Sequence, residues 1–241
     1  MNILKHIPKT ITSMNLFCGL MGVIFTFQGR LDVAFYMMLA GALCDFCDGL
    51  AARALKAYSE LGKQLDSLAD MVSFGVLPAL LLHRVMLLTQ GESVWSYIPL
   101  LIAVFSALRL AKFNIDERQS ENFIGLATPA CAIICGSFAC NLINEPSGIT
   151  MKLACMPWFI PAASLILCLL LVSEIPMFSM KFKKSAARTA VNSQRIIFLI
   201  LAAAVCVVTT CLRLNWTMIP LLIFIIYILM NTGIFLLSHK K

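Results

Sequence analysis

Residues Asp45–Asp70 read DFCDGLAARALKAYSELGKQLDSLAD, four aspartates set between apolar runs. Asp45, Asp48, Gly49, Ala52 and Arg53 fall at i, i+3, i+4, i+7 and i+8, which puts them on one face of a helix. Gly62, Asp66 and Asp70 follow at i, i+4 and i+8, a small-and-acidic stripe on a second helix. Two helices joined by a short turn then aim four carboxylates into one volume. A bare carboxylate in a bilayer costs roughly 2.5–3.5 kcal/mol on insertion scales, so four together call for compensating cations. A site for divalent metal, with two ions, is the simplest reading.

The sequence around this stretch belongs in a membrane. Of 241 residues, 60% are apolar and only 13% charged, where a soluble domain carries about 25% charge. Eight apolar runs approach the ~20 residues needed to cross a bilayer as helix: Ile11–Gln28, Leu31–Ala52, Leu65–Leu88, Ser93–Leu110, Leu126–Ile143, Leu153–Ser173, Arg195–Leu212 and Trp216–Leu237. Continuous helical patterning excludes a β-barrel, whose strands alternate and are half as long. The expected fold is all-α, a polytopic integral membrane helix bundle of about eight transmembrane helices. Residues 1–241 read as a single membrane-embedded domain, with a catalytic core over about 7–190 and two further helices over 191–241. Pro8, Pro99, Pro129 and Pro157 suit early helical turns; Pro78, Pro161 and Pro220 are expected deeper, as kinks that neighbours compensate.

The net charge of +7 has no soluble domain to carry it, so it reads as topology signal and not as a nucleic-acid surface. With both termini cytoplasmic, that side gathers Lys5, Lys9, Arg53, Lys56, Lys63, Arg109, Lys112, Arg118, Lys181, Lys183, Lys184, Arg188, Arg195, Lys240 and Lys241. The opposite side keeps Arg30, Arg84, Lys152 and Arg213. The positive-inside asymmetry places the aspartates at the cytoplasmic face of the cell inner membrane. The first apolar run imitates a secretory signal but lacks a small-residue cleavage site, so it is expected to be a retained helix. Ten cysteines lie mostly inside apolar runs and suit helix packing, not disulfides; the Cys44-x-x-Cys47 pair has no second pair to make a zinc site. Pro176–Ala190 is basic with interleaved Met and Phe, fit either for a strip on anionic headgroups or for a plain positive-inside loop.

Asp45-x-x-Asp48-Gly49-x-x-Ala52-Arg53, eight residues, then Gly62-x-x-x-Asp66-x-x-x-Asp70 resembles the signature of the CDP-alcohol phosphatidyltransferase family at every defined position. The resemblance implies attack by a hydroxyl on the β-phosphorus of a CDP-lipid, with CMP leaving. It implies metal ligands at Asp45, Asp48 and Asp66, with Asp70 as ligand and general base, two ions (Mg²⁺ or Mn²⁺), and a homodimer. It also implies nucleotide contacts at Asp45, Gly49, Ala52, Arg53, Gly62 and Asp66. Physical chemistry agrees with that set. Phosphoryl transfer needs charge neutralisation and in-line placement, small residues let a nucleotide approach the helix, and an arginine offers a forked cation to phosphate oxygens.

Further passages resemble one branch of the family, the bacterial-type phosphatidylserine synthases: Ile7-Pro8, Met14–Gly19, Ser67–Ala79, Leu108–Asn114, Phe123–Ala130 and Glu174–Ser179. Ala127 stands where that branch usually has Pro, and Lys112 where Arg is common. The implied substrates are CDP-diacylglycerol and L-serine, drawn from membrane lipids and the cytoplasm. A serine site needs a fixed cation and nearby acceptors, for which Arg109, Lys112 and Asn114 are candidates, with Ser73 and Thr128 as lining hydroxyls. Interfacial snorkelling explains Arg109 and Lys112 equally well. Other acceptors, glycerol 3-phosphate or inositol phosphate, would want a denser cation cluster beside Asp70. A divalent-cation transporter is the rival class, but it leaves Gly49, Arg53 and Gly62 unexplained and would favour midplane sites in inverted repeats. A scaffold of buried ion pairs has too few local cations for four carboxylates.

Overall fold

The computed structural model describes residues 6–116, 123–178 and 188–238. Lys5, Arg118, Lys181, Lys183, Lys184, Lys240 and Lys241, which enter the expected charge asymmetry, lie outside them, as does most of the basic strip.

The chain is a polytopic bundle of membrane helices. Helix α1 is Ile7–Phe27 and α2 is Leu31–Ala54. Next comes one unbroken run of 31 residues, Glu60–Gln90, made of α3 (Glu60–Asp70), a π-helical segment (Met71–Val76) and α4 (Leu77–Gln90). A 3₁₀ turn over Val94–Leu100 leads into α5 (Leu101–Ile115), followed by α6 (Thr128–Asn144), α7 (Ile149–Ala154), α8 (Phe159–Val172), α9 (Arg188–Cys211) and α10 (Met218–Ser238). Two two-residue strands, β1 (Phe123–Ile124) and β2 (Pro176–Met177), pair antiparallel, Phe123 opposite Met177.

Six of the expected spans reach membrane-crossing length among the described residues; Thr128–Asn144 and Phe159–Val172 are shorter apolar helices. The expected Leu153–Ser173 helix is in fact two, α7 and α8, parted at Cys155–Trp158 around Pro157. Pro161 and Pro220 are each the third residue of their helix, so they start helices instead of kinking them. Pro78 follows the π-helical segment directly, whose wider turn has already broken the regular ladder.

Local chemistry sets the turn between the two aspartate-bearing helices. At the end of α2, Ala57 N–H bonds to the Ala52 carbonyl at 3.0 Å and Lys56 N–H to Arg53 at 3.3 Å, with Lys56 at φ 47°. This is a Schellman closure. Ser59 then caps α3, its Oγ accepting the Gly62 N–H at 3.1 Å, and Glu60 sits favourably in the first turn. The chain reverses within five residues, which brings the two acidic stripes together.

Packing fixes the depth and phase of the stripe. A Cβ at Gly19 would come within 3.0 Å of the Ser73 backbone, and one at Gly41 within 2.9 Å of Asn15 Oδ1. Close helix approach of this kind is what small residues permit in membranes. Helix α6 runs through the centre, with Cys131, Ala132, Cys135, Ala139 and Cys140 buried, so its modest length is covered by neighbours. At the far end from the aspartates, Trp95 meets Trp158 edge-on at 5.1 Å and Trp216 stacks on Tyr36 at 6.0 Å, an aromatic girdle of the interfacial kind.

Candidate active site

The i, i+3 spacing of Asp45 and Asp48 on α2 and the i, i+4 spacing of Asp66 and Asp70 on α3 deliver their side chains to one place. Asp45, Asp48 and Asp66 each offer a carboxylate oxygen within 4.8 Å of the others. Such a cluster repels itself unless cations intervene, and Lys112 is engaged with another acid, Glu174, at 3.4 Å. Asp66 Oδ1 is buried and has no hydrogen-bond partner in the protein. A buried, unpartnered carboxylate oxygen is costly. An all-oxygen donor set is what hard divalent cations prefer, so the residues fit a Mg²⁺- or Mn²⁺-type ion.

Helix α1 supplies the partners that fix the carboxylates. Thr12 Oγ1 donates to Asp48 Oδ2 at 2.6 Å, and Asn15 Nδ2 donates to Asp70 Oδ1 at 3.2 Å. Asn15 is itself held, since its carbonyl accepts the Ser73 hydroxyl at 3.0 Å. Neither Thr12 nor Asn15 was among the expected site residues. Their i, i+3 spacing inside an apolar helix is the signal that points to them.

A cleft of about 650 Å³ opens beside the cluster. Lys9 and Thr12 line it from α1, Asp48, Gly49, Ala52 and Arg53 from α2, Tyr58 from the turn, and Gly62, Lys63 and Asp66 from α3. The volume lies in the range of small-molecule sites, roughly 300–1,000 Å³. Nothing stands within 4 Å of where a Gly49 Cβ would be, whereas a Gly62 Cβ would crowd the capping Ser59 hydroxyl at 3.0 Å. Gly49 therefore leaves open space, and Gly62 also serves its own helix start. The expected nucleotide residues Gly49, Ala52, Arg53, Gly62 and Asp66 share this wall; Asp45 and Asp70 are not part of it.

The expected acceptor residues are placed differently. Arg109 is buried, donates from Nη1 to Thr128 Oγ1 at 2.7 Å, and lies over the Phe113 ring at 5.7 Å. Its Nε has no hydrogen-bond partner in the protein. Lys112 pairs with Glu174. Asn114 donates to Ser67 Oγ at 2.8 Å, and its carbonyl accepts Lys63 Nζ at 3.2 Å. Thus Asn114 ties α5 to α3, Lys112 ties α5 to the segment after α8, and Arg109 ties α5 to the start of α6. Ser73 serves Asn15 and not an open pocket.

Comparison with known proteins agrees with this geometry. The chain is 37% identical over 143 residues to a CDP-diacylglycerol–serine O-phosphatidyltransferase of Bacillus subtilis, covering 58% of this chain and 80% of that protein. It is 34% identical over 185 residues to one from Mycobacterium leprae, covering 73% of this chain and 59% of the relative. It is 32% identical over 138 residues to an archaetidylserine synthase of Methanothermobacter thermautotrophicus, covering 55% of this chain and 57% of that protein. A family model for CDP-alcohol phosphatidyltransferases matches residues 5–169. That match takes in α1 to α3 whole, the aspartate cluster and its partners on α1, and so the chain belongs to the CDP-alcohol phosphatidyltransferase family.

Proposed function

We propose that this chain transfers the phosphatidyl group of CDP-diacylglycerol to the hydroxyl of L-serine, giving phosphatidylserine and CMP. The observation that carries the reading is the close set of three carboxylates beside an open cleft. The names of the relatives support serine as acceptor. On this reading Asp45, Asp48 and Asp66, joined by Asp70, hold two divalent ions, Mg²⁺ or Mn²⁺. Such ions supply charge neutralisation at the pyrophosphate and at the leaving CMP oxygen.

The protein's own groups do the rest. Arg53, Lys9 and Lys63 offer donors to phosphate oxygens along the cleft wall, and Gly49 and Ala52 leave room for the nucleotide. Asp70, with one oxygen engaged by Asn15, receives the serine hydroxyl proton on the other as the new P–O bond forms and the bond to CMP breaks. Arg109 meets the serine carboxylate, as a buried guanidinium pairs readily with a planar anion, while Lys112 and Asn114 border the same side. The site faces the cytoplasm at the inner membrane, where serine is dissolved, and the enzyme works as a homodimer.

The deciding experiment is CMP release by purified protein from CDP-diacylglycerol, with serine, glycerol 3-phosphate or inositol phosphate, with and without chelator. Serine-dependent release that stops on chelation is expected. Release that follows glycerol 3-phosphate instead, or metal flux without CMP, would overturn the assignment.

A further inference from the structure

The last helix lies beyond residues 5–169 that the family model covers, yet it takes hold of one backbone residue from both sides. Asn231 Oδ1 accepts the Phe178 N–H at 3.1 Å, and the Tyr227 hydroxyl donates to the Phe178 carbonyl at 3.0 Å. Asn231 is oriented by its own amide, which donates to the Tyr227 carbonyl at 2.7 Å. The Phe178 and Tyr227 rings meet edge-on at 5.1 Å, and both Phe178 and Asn231 are buried. Lipid-facing packing would not need this. Capturing both backbone groups of a buried residue satisfies them and fixes where that residue sits and how it is directed.

From Phe178 a continuous series of pairings leads back to the candidate acceptor cation. Phe178 follows β2, which is paired with β1. Just after β1, Gly125 N–H bonds to the Ile175 carbonyl at 3.0 Å and Leu126 N–H to the Leu170 carbonyl at 2.9 Å. Gly125 has φ +74°, and a Cβ there would lie 2.8 Å from the Ser173 carbonyl oxygen, so the crossing is tight and its register is fixed. Three residues on, Thr128 accepts the Arg109 guanidinium.

We propose that Tyr227 and Asn231 are positioning residues for the acceptor side of the site. By gripping Phe178 they hold the β1–β2 strap, and through it Thr128 and the Arg109 guanidinium. The last helix is then part of the working enzyme and not a peripheral anchor. The inference rests on the serine-transfer reading, and its test separates the two.

Tyr227→Phe removes one hydroxyl at constant shape, and Asn231→Leu removes both the acceptor and the amide that orients it. Each is compared with the parent for KM of serine, KM of CDP-diacylglycerol, kcat, and hydrogen–deuterium exchange over residues 123–128. Tyr227→Phe and Asn231→Leu are expected to raise the serine KM about three- to tenfold, the effect of one lost hydrogen bond, with KM for the CDP-lipid unchanged. Exchange at 123–128 rises in both. An unchanged serine KM, an equal rise in both KM values, or unaltered exchange at 123–128 would overturn the proposal. If Asn231→Leu does not yield folded protein, Tyr227→Phe decides alone. Absence of serine-dependent turnover in the parent would strike the functional reading, and exchange would still decide whether the grip holds the strap.

Discussion

Thr12 on α1 and Asp48 on α2 are joined by a buried hydrogen bond of 2.6 Å, with the threonine hydroxyl donating. A carboxylate so held is fixed in orientation, and Asp45, Asp48 and Asp66 each keep an oxygen within 4.8 Å of the others. Removing a partner of this kind costs roughly 10–100-fold in metal affinity or activity at known metal sites. Thr12→Val should therefore demand more Mg²⁺ or Mn²⁺ for half-maximal CMP release, by that order, while Thr12→Ser stays near the parent. A metal titration with equal midpoints for all three would remove Thr12 from the site.

Asp70 is tied to Asn15 and stands apart from the cleft wall, which suits a group that handles the proton instead of the nucleotide. Asp70→Asn should yield a monodisperse, folded membrane protein whose turnover falls about 10²–10⁴-fold, the usual scale of general acid–base catalysis. Near-normal CMP release from this variant would rule out Asp70 as the base.

Arg109 is buried and bonded to Thr128, so it offers a fixed cation. Arg109→Ala is expected to raise the serine KM about tenfold or more, as for a lost charged hydrogen bond, with the CDP-lipid KM changed about twofold at most. Equal effects on both substrates, read from paired saturation curves, would place Arg109 outside the acceptor pocket.

Two glycines should respond in opposite ways to the same substitution. Gly49 has open space where a Cβ would go, whereas Gly19 would strike the Ser73 backbone at 3.0 Å. Gly49→Ala should raise thermal stability by about 0.5–1 kcal/mol, the ordinary gain of Ala over Gly in a helix, yet weaken use of the CDP-lipid. Gly19→Ala should lower the melting temperature. Thermal unfolding in detergent alongside CMP release distinguishes the pair; a Gly49→Ala protein that is both stabler and fully active would mean the nucleotide does not approach there.

Much of this architecture is written in local spacing. Helical period puts Asp45 beside Asp48 and Asp66 beside Asp70, and apolar length marks where most helices cross. What spacing cannot carry is contact between distant segments. Thr12 and Asn15 are visible as polar residues in an apolar helix, but only packing says which aspartate each one serves. The π-helical turn at Met71–Val76 is hidden because a short, mostly apolar stretch reads alike at either helical pitch. The break at Cys155–Trp158 is hidden for a similar reason: Pro157 is tolerated in a first turn as well as between helices. The pairing of Lys112 with Glu174 depends on a segment far away in sequence, so spacing alone leaves Lys112 available to a substrate.

The unbroken run Glu60–Gln90 has one more consequence. From Asp70 to Gln90 the helix rises about 30 Å, the thickness of the hydrocarbon layer, so a bilayer spanned by this stretch would set the acidic cluster level with the lipid headgroups. A diacyl substrate can then diffuse sideways into register without being lifted from its leaflet, and its encounter rate follows its mole fraction on the surface. Adding inert detergent at constant bulk substrate should slow the enzyme by surface dilution, while the response to water-soluble serine keeps its ordinary molar dependence.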